Sequence, residues 1–417
     1  RADVTGGNRK VLIREASGAW INRLEDPTWL EDESFLWLSE RTGYQHIYHY
    51  SKEGRLLGAV TEGKWEVRKV AAIDERNSLL YFTGTKDSVL EQQLYRIRLD
   101  GTAVTKVSTE AGTHKPNFNS DATLFLDTYS DISTPPRTAL YRSDGSRIRV
   151  VAKNEVPVLR EYRLSDPEFV QFETRDGLLI DAMLLKPPDF DPSTRYPVLL
   201  NTYSGPHGPE VLNRWRGSGH MWHQMLASEG YLVWVCHGRT YSGKGVGVAW
   251  PAHKDLGRLE LRDLEDSLTW LKSKSYVDGS RIGIFGWSYG GYMVAYALTH
   301  SSSFKVGIAG APVTDWTLYD SVYTERFMGL PQENKEGYER SSALRSAENL
   351  SGKLLLIHGT MDDNVHMQNS LKFAHALQKA GKEFKLMLYP ASRHGVRDDQ
   401  QVKHLRTLIT QFIRDNL

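Results

Sequence analysis

The segment Gly286-Trp-Ser288-Tyr-Gly290 places a serine between two glycines. A strand-like run, Arg281 to Gly286, leads into it, and a helix-like run, Gly291 to His300, follows it. A sharp turn from strand to helix forces the serine into a strained backbone conformation, and the flanking glycines leave room for that turn. The pattern therefore predicts that Ser288 is the nucleophile of a hydrolytic reaction.

An acid and a base follow the serine in the order that a nucleophile on such a turn requires. Asp362 comes just after the strand-like run Leu354 to Gly359, and His394 comes after the next run, Phe384 to Tyr389. Open α/β sheets gather their active-site residues at these strand ends. His394 would take the serine proton and return it to the leaving group, while Asp362 would orient the imidazole. Spacing alone leaves Asp363 open as an alternative acid.

The chain contains 14 histidines, so the base has to be identified from where each histidine lies relative to the predicted strands and the acid. His358 lies inside a strand-like run and before the acid, and His366 follows the acid by only four residues. His375 and His404 fall on predicted helices. His394 is left as the histidine on a loop after both a strand and the acid.

The residues give no reason to expect a metal or another cofactor. His220 and His223 have the i, i+3 spacing of metal ligands, but no acidic partner completes a motif, and we interpret them as structural. Cys236 is the only cysteine, so no intrachain disulfide can form, and its apolar run from Tyr231 predicts a buried strand residue. The oxyanion of the predicted reaction needs a donor, and the backbone N–H of Tyr289 is the expected one.

Charge and length limit the partners of the chain. Its 417 residues suffice for two or three domains. Lys and Arg number 52 against 51 Asp and Glu, a balance that gives no electrostatic reason to expect nucleic acid or a membrane surface as partner. No stretch approaches the ~18 apolar residues of a membrane-spanning helix. The chain begins with Arg1 and shows no apolar targeting segment, which we interpret as a cut or processed end that leaves the compartment open.

The elements that must position these residues alternate between strand and helix after Arg195. Apolar strand-like runs such as Tyr196 to Tyr203 alternate with helical patterns such as Leu256 to Ser273. This alternation indicates a mostly parallel, doubly wound sheet covered on both faces. With the preceding hairpin, it predicts an α/β-hydrolase domain over residues 161–417.

Residues 1–160 show a different, repeating pattern. Strand-like runs that start at Phe35, Leu80 and Leu124 are each followed by a second run that ends at a turn glycine. These glycines, Gly54, Gly101 and Gly145, stand 47 and then 44 residues apart. A hairpin repeat of about 40–50 residues is typical of β-propeller blades. We expect about three blades, the back half of a larger propeller; a plain antiparallel β-domain is the alternative.

Four segments resemble the prolyl oligopeptidase family of serine peptidases, and within it the dipeptidyl peptidase IV branch. They are Thr202-Tyr-Ser-Gly-Pro206, Gly286-Trp-Ser-Tyr-Gly-Gly-Tyr292, Tyr319-Asp-Ser-Val-Tyr-Thr-Glu-Arg-Phe-Met-Gly329 and His358-Gly-Thr-Met-Asp-Asp-Asn-Val-His366. The resemblance implies a serine exopeptidase that forms an acyl-enzyme and releases a dipeptide, with proline or alanine second, from a peptide with a free N-terminus.

The resemblance also assigns roles to individual residues. Tyr203 corresponds to the tyrosine whose hydroxyl is the second oxyanion donor, and Asp362 corresponds to the acid of the triad. Asn364 and Arg326 correspond to polar residues near the substrate. The walls of the proline pocket are expected from Tyr289, Val313, Trp316, Tyr319, Tyr323 and Val365. For the aromatic members, ordinary core packing is the alternative.

One departure from the family concerns the substrate's amino group. In the family a pair of glutamates on the propeller holds this amine, and the 417 residues contain no Glu-Glu pair. Either this chain is a piece of a longer protein whose missing N-terminal half carries the pair, or the clamp is absent. An acylaminoacyl peptidase, an endopeptidase, an esterase and a binding protein with an inactive hydrolase domain are the competing interpretations. The resemblance further implies a homodimer and, for bacterial members, a periplasmic or secreted location rather than a cytoplasmic one.

Overall fold

A computed structural model describes residues 1–2, 6–7, 9–22, 25–206, 208, 211–240 and 243–417. These residues form two compact units. The first contains residues 1–159 together with 212–217 and 242–248, and the second contains 160–211, 218–241 and 249–417. Two short segments from the later part of the sequence thus belong to the first unit.

The first unit contains three four-stranded antiparallel sheets, each built from strands consecutive in sequence. The strands are β1 (Thr28–Trp29), β2 (Phe35–Ser39), β3 (His46–Tyr50) and β4 (Leu56–Ala59); β5 (Val67–Asp74), β6 (Leu79–Gly84), β7 (Gln93–Arg98) and β8 (Thr105–Lys106); and β9 (Thr113–Phe118), β10 (Leu124–Ser130), β11 (Arg137–Arg142) and β12 (Arg147–Ala152). The glycines Gly54, Gly101 and Gly145 have φ of 87°, 84° and 92° at the β3–β4, β7–β8 and β11–β12 turns. A positive φ costs glycine nothing, which explains the repeat of the turn signal.

The three sheets pack face to face through the middle sheet. On β6, Leu80 and Phe82 pack against residues of the first sheet such as Ile47. Tyr81 between them packs with Phe125 of the third sheet. Successive strand residues point to opposite faces, so one strand supplies both interfaces. This stack of meanders is how propeller blades pack, and it confirms the predicted all-β, propeller-like N-terminal region.

The second unit contains one eight-stranded sheet of order β13-β14-β16-β15-β17-β18-β19-β20. β13 and β14 form an antiparallel hairpin, β14 pairs antiparallel with β16, and the remaining pairs are parallel. The strands are β13 (Glu168–Glu173), β14 (Leu179–Leu185), β15 (Tyr196–Asn201), β16 (Leu232–Cys236), β17 (Val277–Trp287), β18 (Val306–Gly310), β19 (Lys353–Gly359) and β20 (Lys385–Tyr389). The predicted α/β-hydrolase fold is confirmed.

The central strands are buried along their length. Every residue of β16 and β18 is buried, Cys236 included. Because alternate side chains point to opposite faces, a fully buried strand needs cover on both sides.

The helices of the described residues are α1 (Ser218–Ser228), α2 (Val246–Ala249), α3 (Arg258–Lys272), α4 (Tyr289–His300), α5 (Ser321–Met328), α6 (Lys335–Arg340), α7 (Gln368–Lys379) and α8 (Asp399–Asn416). Over the residues described, no helix is both long and apolar enough to cross a membrane.

Five strands carry the candidate site at their carboxyl ends. Tyr203 follows β15, Ser288 follows β17, Trp316 follows β18, Asp362 follows β19 and His394 follows β20. The predicted strand Tyr196 to Tyr203 ends two residues early, so Tyr203 lies in a loop instead. All five residues therefore lie beyond the carboxyl edge of the sheet, where open α/β sheets bind their ligands.

Candidate active site

The backbone of Ser288 is strained. Its φ is 61° and its ψ is −120°, a region that residues other than glycine rarely occupy. Its N–H donates to the carbonyl of Gly310 on β18 over 2.8 Å, and its carbonyl accepts from the N–H of Tyr292 in α4 over 2.9 Å. Neighbouring elements therefore hold the serine in the sharp turn predicted from its glycines.

Three glycines around this turn have no room for a side chain. A Cβ on Gly286 would lie 2.3 Å from the carbonyl oxygen of Gly290. A Cβ on Gly290 would lie 2.3 Å from the carbonyl oxygen of Thr202, and one on Gly291 would lie 2.3 Å from that of Gly310. The clashing atoms belong to the backbone of packed elements and not to flexible side chains, so their displacement is costly. The glycines of the motif are thus required by close packing of the turn against its neighbours.

His394 and Asp362 form a hydrogen-bonded pair. The imidazole Nδ1 lies 2.9 Å from Oδ2 of Asp362. The indole Nε1–H of Trp287 donates to the backbone carbonyl of His394 over 2.7 Å. The residue that precedes the nucleophile thereby fixes the loop that carries the base.

The two candidate acids have different surroundings. Oδ1 of Asp362 accepts the backbone N–H groups of Asn364 and Val365, each over 3.0 Å. Burial opposes charge on Asp362, but hydrogen bonds from two histidines and from Asn364 outweigh it and hold the pKa of the carboxyl below its ordinary value. Asp363 instead is exposed and pairs with Arg393 over 2.7 Å. Of the two, Asp362 is the carboxylate placed to orient the imidazole of His394.

The two tyrosines predicted as oxyanion donors both lie beside the turn. The N–H of Tyr289 is at the first residue of α4, where helix N–H groups have no partner within the helix. The ring of Tyr203 lies 5.9 Å from that of Tyr289. The backbone N–H of Tyr203 donates to Nδ1 of His237 over 3.0 Å, and a Cβ on Gly205 would lie 2.7 Å from the Tyr203 ring. His237 therefore holds the backbone of Tyr203, and the absence of a side chain on Gly205 leaves space for the Tyr203 ring.

The hydroxyl of Tyr289 is held from behind by α3. It donates to Oε1 of Glu260 over 2.9 Å, and Oε2 accepts the N–H of Gly257 over 3.0 Å. Glu260 is fully buried, and burial raises the pKa of its carboxyl to about 8. Burial also raises the pKa of the Tyr289 phenol well above its ordinary value. The phenol thus remains neutral, and its ring is fixed at the nucleophile.

Four aromatic residues next to Ser288 contact one another. The ring of Trp316 lies 5.5 Å from that of Tyr289 and stacks on that of Tyr323 at 6.0 Å and 16°. The ring of Tyr319 lies 5.4 Å from that of Tyr323 at 79°. Trp316 is buried, whereas Tyr319 and Tyr323 are partly exposed. This aromatic wall is therefore only partly closed, because two of its four rings keep some exposure.

The remaining predicted pocket residues lie on the segments that follow β18 and β19. Val313 and Val365 are buried. The hydroxyl of Tyr319 donates to Oδ1 of Asn364 over 2.6 Å, which joins the aromatic wall to the loop of the acid. Arg326 lies exposed on α5, with its guanidinium carbon 5.9 Å from the centre of the Phe327 ring.

The two histidines interpreted as structural lie on α1. The side-chain amide of Gln224 donates to Nε2 of His220 over 3.1 Å, and His223 lies 3.4 Å from the amide of Asn201. Among the described residues, no three His, Cys, Asp or Glu side chains are grouped to hold a metal ion.

Sequence reasoning missed two buried residues beside the site, and each had left a signal. Glu260 takes the place of an apolar residue in a four-residue spacing that begins at Leu256, just before α3, and continues at Leu264 and Leu268 within it. An acid at such a position is buried and needs partners. His358 follows the apolar run of β19 and was considered only as a base; the structure places its Nε2 3.3 Å from Oδ2 of Asp362.

A strained serine on a strand–turn–helix, followed by a hydrogen-bonded carboxylate and imidazole, defines a serine hydrolase of the α/β-hydrolase fold. Residues 220–417 match the model of the prolyl oligopeptidase family, and residues 1–136 match that of the dipeptidyl peptidase IV N-terminal region. The peptidase region of the chain, residues 220–417, belongs to the prolyl oligopeptidase family, as its motifs predicted.

Similar proteins cover nearly the whole chain. Dipeptidyl peptidase 8 of Homo sapiens is 32% identical over 98% of this chain and 50% of its own length. Dipeptidyl peptidase 4 of Trichophyton equinum is 30% identical over 97% and 54%. The crystal structure of Porphyromonas gingivalis dipeptidyl peptidase 4 superimposes with a TM-score of 0.90 at 37% identity, over 94% of this chain and 56% of that one. The chain spans about half the length of the curated relatives it matches.

Proposed function

We propose that the protein containing this chain is a serine exopeptidase that releases Xaa-Pro or Xaa-Ala dipeptides from peptides with a free N-terminus. The observation that carries the proposal is the position of Tyr289. This residue follows the nucleophile directly, and its ring belongs to the aromatic wall with Trp316. A substrate side chain on that wall would have its own carbonyl carbon at Ser288.

The reaction follows from the roles of the residues. Oγ of Ser288 attacks the carbonyl carbon of the second substrate residue, while His394 takes the hydroxyl proton. The N–H of Tyr289 and the hydroxyl of Tyr203 stabilise the oxyanion. The C–N bond then breaks, and His394 gives its proton to the departing amine. Water attacks the acyl-enzyme with His394 again as base, which frees the dipeptide and restores the serine.

Preference for proline follows from the shape and chemistry of the wall. Flat aromatic faces and the two buried valines suit a compact, apolar ring and offer little to long or charged side chains. Alanine would fit the same space with less contact. The names of the similar proteins, dipeptidyl peptidases 4 and 8, agree with the release of dipeptides.

Several features of the whole protein belong to the proposal. We propose residues 1–160 as the back half of a larger propeller and 161–417 as the peptidase domain, with the amine-binding carboxylates supplied by the rest of the full-length protein. Homodimer formation and a periplasmic or secreted location are implied by the family resemblance. Sedimentation of the full-length protein and fractionation of its host cells test these two expectations.

The decisive experiment compares two anilides with the full-length protein. Gly-Pro-anilide carries a free amine, and its N-acetylated form does not. Fast cleavage of the free form alone, abolished in Ser288→Ala with unchanged melting temperature, is the expected result. Equal or faster cleavage of the blocked form would assign an acylaminoacyl peptidase or endopeptidase instead. Absence of turnover in the wild type would indicate a binding protein.

A further inference from the structure

A second imidazole contacts the carboxylate of Asp362. Nε2 of His358 lies 3.3 Å from Oδ2, the same oxygen that Nδ1 of His394 approaches at 2.9 Å. The side chains of His358 and Asp362 are fully buried, whereas that of His394 is partly exposed. One carboxylate oxygen thus lies between an imidazole that can exchange protons with the site and one that is sealed from water.

The surroundings of His358 determine where its proton is. Nε2 also lies 2.8 Å from the carbonyl oxygen of Val365. A carbonyl oxygen can only accept, so Nε2 carries a hydrogen and donates it to Val365, with Oδ2 of Asp362 as the second, longer contact at 3.3 Å. Nδ1 lies 2.7 Å from Oγ of Ser370 on α7, and a serine hydroxyl can donate to it. The contacts therefore place a hydrogen on Nε2.

These contacts fix the loop of the acid through both backbone groups of Val365, its N–H and its carbonyl. The N–H of Val365 donates to Oδ1 of Asp362, and its carbonyl accepts from His358. His358 itself is part of β19, in register with Leu388 of β20. The rigid sheet thereby sets the orientation of the carboxylate through one side chain.

We propose that His358 is a positioning residue whose Nε2–H group holds Oδ2 of Asp362 in place for His394, while Ser370 contacts its Nδ1. This inference rests on the proposed triad. Misplacement of a reacting group by ~1 Å can lower a rate about 100-fold, so loss of the Nε2 donor should lower kcat by about 10- to 100-fold.

Three substitutions of His358 distinguish the effect of its Nε2 hydrogen-bond donor from the effect of its side-chain volume. The amide of His358→Gln can reach the position of Nε2, whereas that of His358→Asn reaches only the position of Nδ1, and His358→Leu fills the space without a donor. We expect kcat of the Gln variant within about 5-fold of wild type and that of the Asn and Leu variants 10- to 100-fold lower. Turnover of Gly-Pro-anilide by the full-length protein is measured together with thermal melting.

The matched control is the buried His220, which contacts Gln224. Its Gln and Asn variants should have equal kcat. A His358→Gln variant no faster than His358→Asn, a fully active His358→Leu, or failure of all three to fold would overturn the proposal. The rate at which a fluorophosphonate labels Ser288 is measured in parallel, because it needs the triad but no dipeptide. If the wild type labels but cleaves no Gly-Pro-anilide, the proposed function fails while the labelling rates still test His358.

Discussion

The phenol of Tyr289 and the carboxyl of Glu260 are hydrogen-bonded over 2.9 Å inside the hydrolase unit, where both side chains are buried. The residue that follows the nucleophile is therefore coupled to an acid on a different helix. The bond can persist in either state of Glu260, since a carboxylate accepts from the phenol and a neutral carboxyl can donate to it. What changes with pH is the cost of keeping that acid buried.

Because of Glu260, the stability of the folded protein should decrease as the pH rises. Its pKa is raised from 4.5 to about 8 in the folded state. Between those values the folded state binds the proton that the unfolded state has lost, so stability decreases as pH rises. The contribution is fully present below about pH 4.5 and is lost as pH passes 8, at a slope of up to about 1.4 kcal/mol per pH unit.

Glu260→Gln removes this titration while keeping the shape and a hydrogen-bonding group. Urea unfolding of both proteins between pH 5 and pH 9 should show a free energy of unfolding that declines more steeply in the wild type. Parallel curves would mean that Glu260 stays ionised in the folded protein.

The adjacent acids Asp362 and Asp363 form a matched pair for testing the triad. Asp362→Asn should lower kcat about 10,000-fold, because an amide can hold the imidazole in the wrong tautomer. Asp363→Asn breaks only an exposed pair with Arg393, so its kcat should stay within about 3-fold of wild type. Steady-state kinetics on Gly-Pro-anilide distinguish the two, and the reverse order of effects would reassign the acid.

Close packing around the nucleophile predicts that Gly290 cannot be replaced. In Gly290→Ala the new Cβ would meet the carbonyl oxygen of Thr202 at 2.3 Å, so the loop of Tyr203 or the turn must shift. We expect loss of about 2 kcal/mol or more in the free energy of unfolding and a rate reduced at least 100-fold. Gly219→Ala is the control, since nothing lies within 4 Å of its added Cβ. Normal turnover in Gly290→Ala would show that the turn tolerates displacement.

The aromatic wall should determine the preference for proline. Tyr323→Ala removes the ring that stacks on Trp316, and we expect kcat/KM for Gly-Pro-anilide to fall about 100-fold and that for Gly-Ala-anilide less. Val322→Ala, at the neighbouring residue with 77% exposure, is the control and should behave as wild type. An equal decrease in kcat/KM for both substrates would show that Tyr323 does not determine the preference for proline.

Local patterns made the fold and the nucleophile predictable. Gly286 and Gly290 mark the turn in the sequence because steric limits act within a few residues, and the turn glycines of the first unit mark its hairpins for the same reason. The partners of Glu260 and His358 could not be predicted in this way. Each contact depends on how separate helices and strands pack, which periodicity does not encode.

Three properties of the site meet in Tyr289. In the proposed mechanism its N–H stabilises charge, its ring forms part of the pocket, and its hydroxyl binds a buried acid. A substitution there would therefore change rate, selectivity and folding together. Evolution or engineering of a new substrate range would be constrained at this position and freer at Val313, Tyr319 or Tyr323, which leave the nucleophile's own backbone untouched.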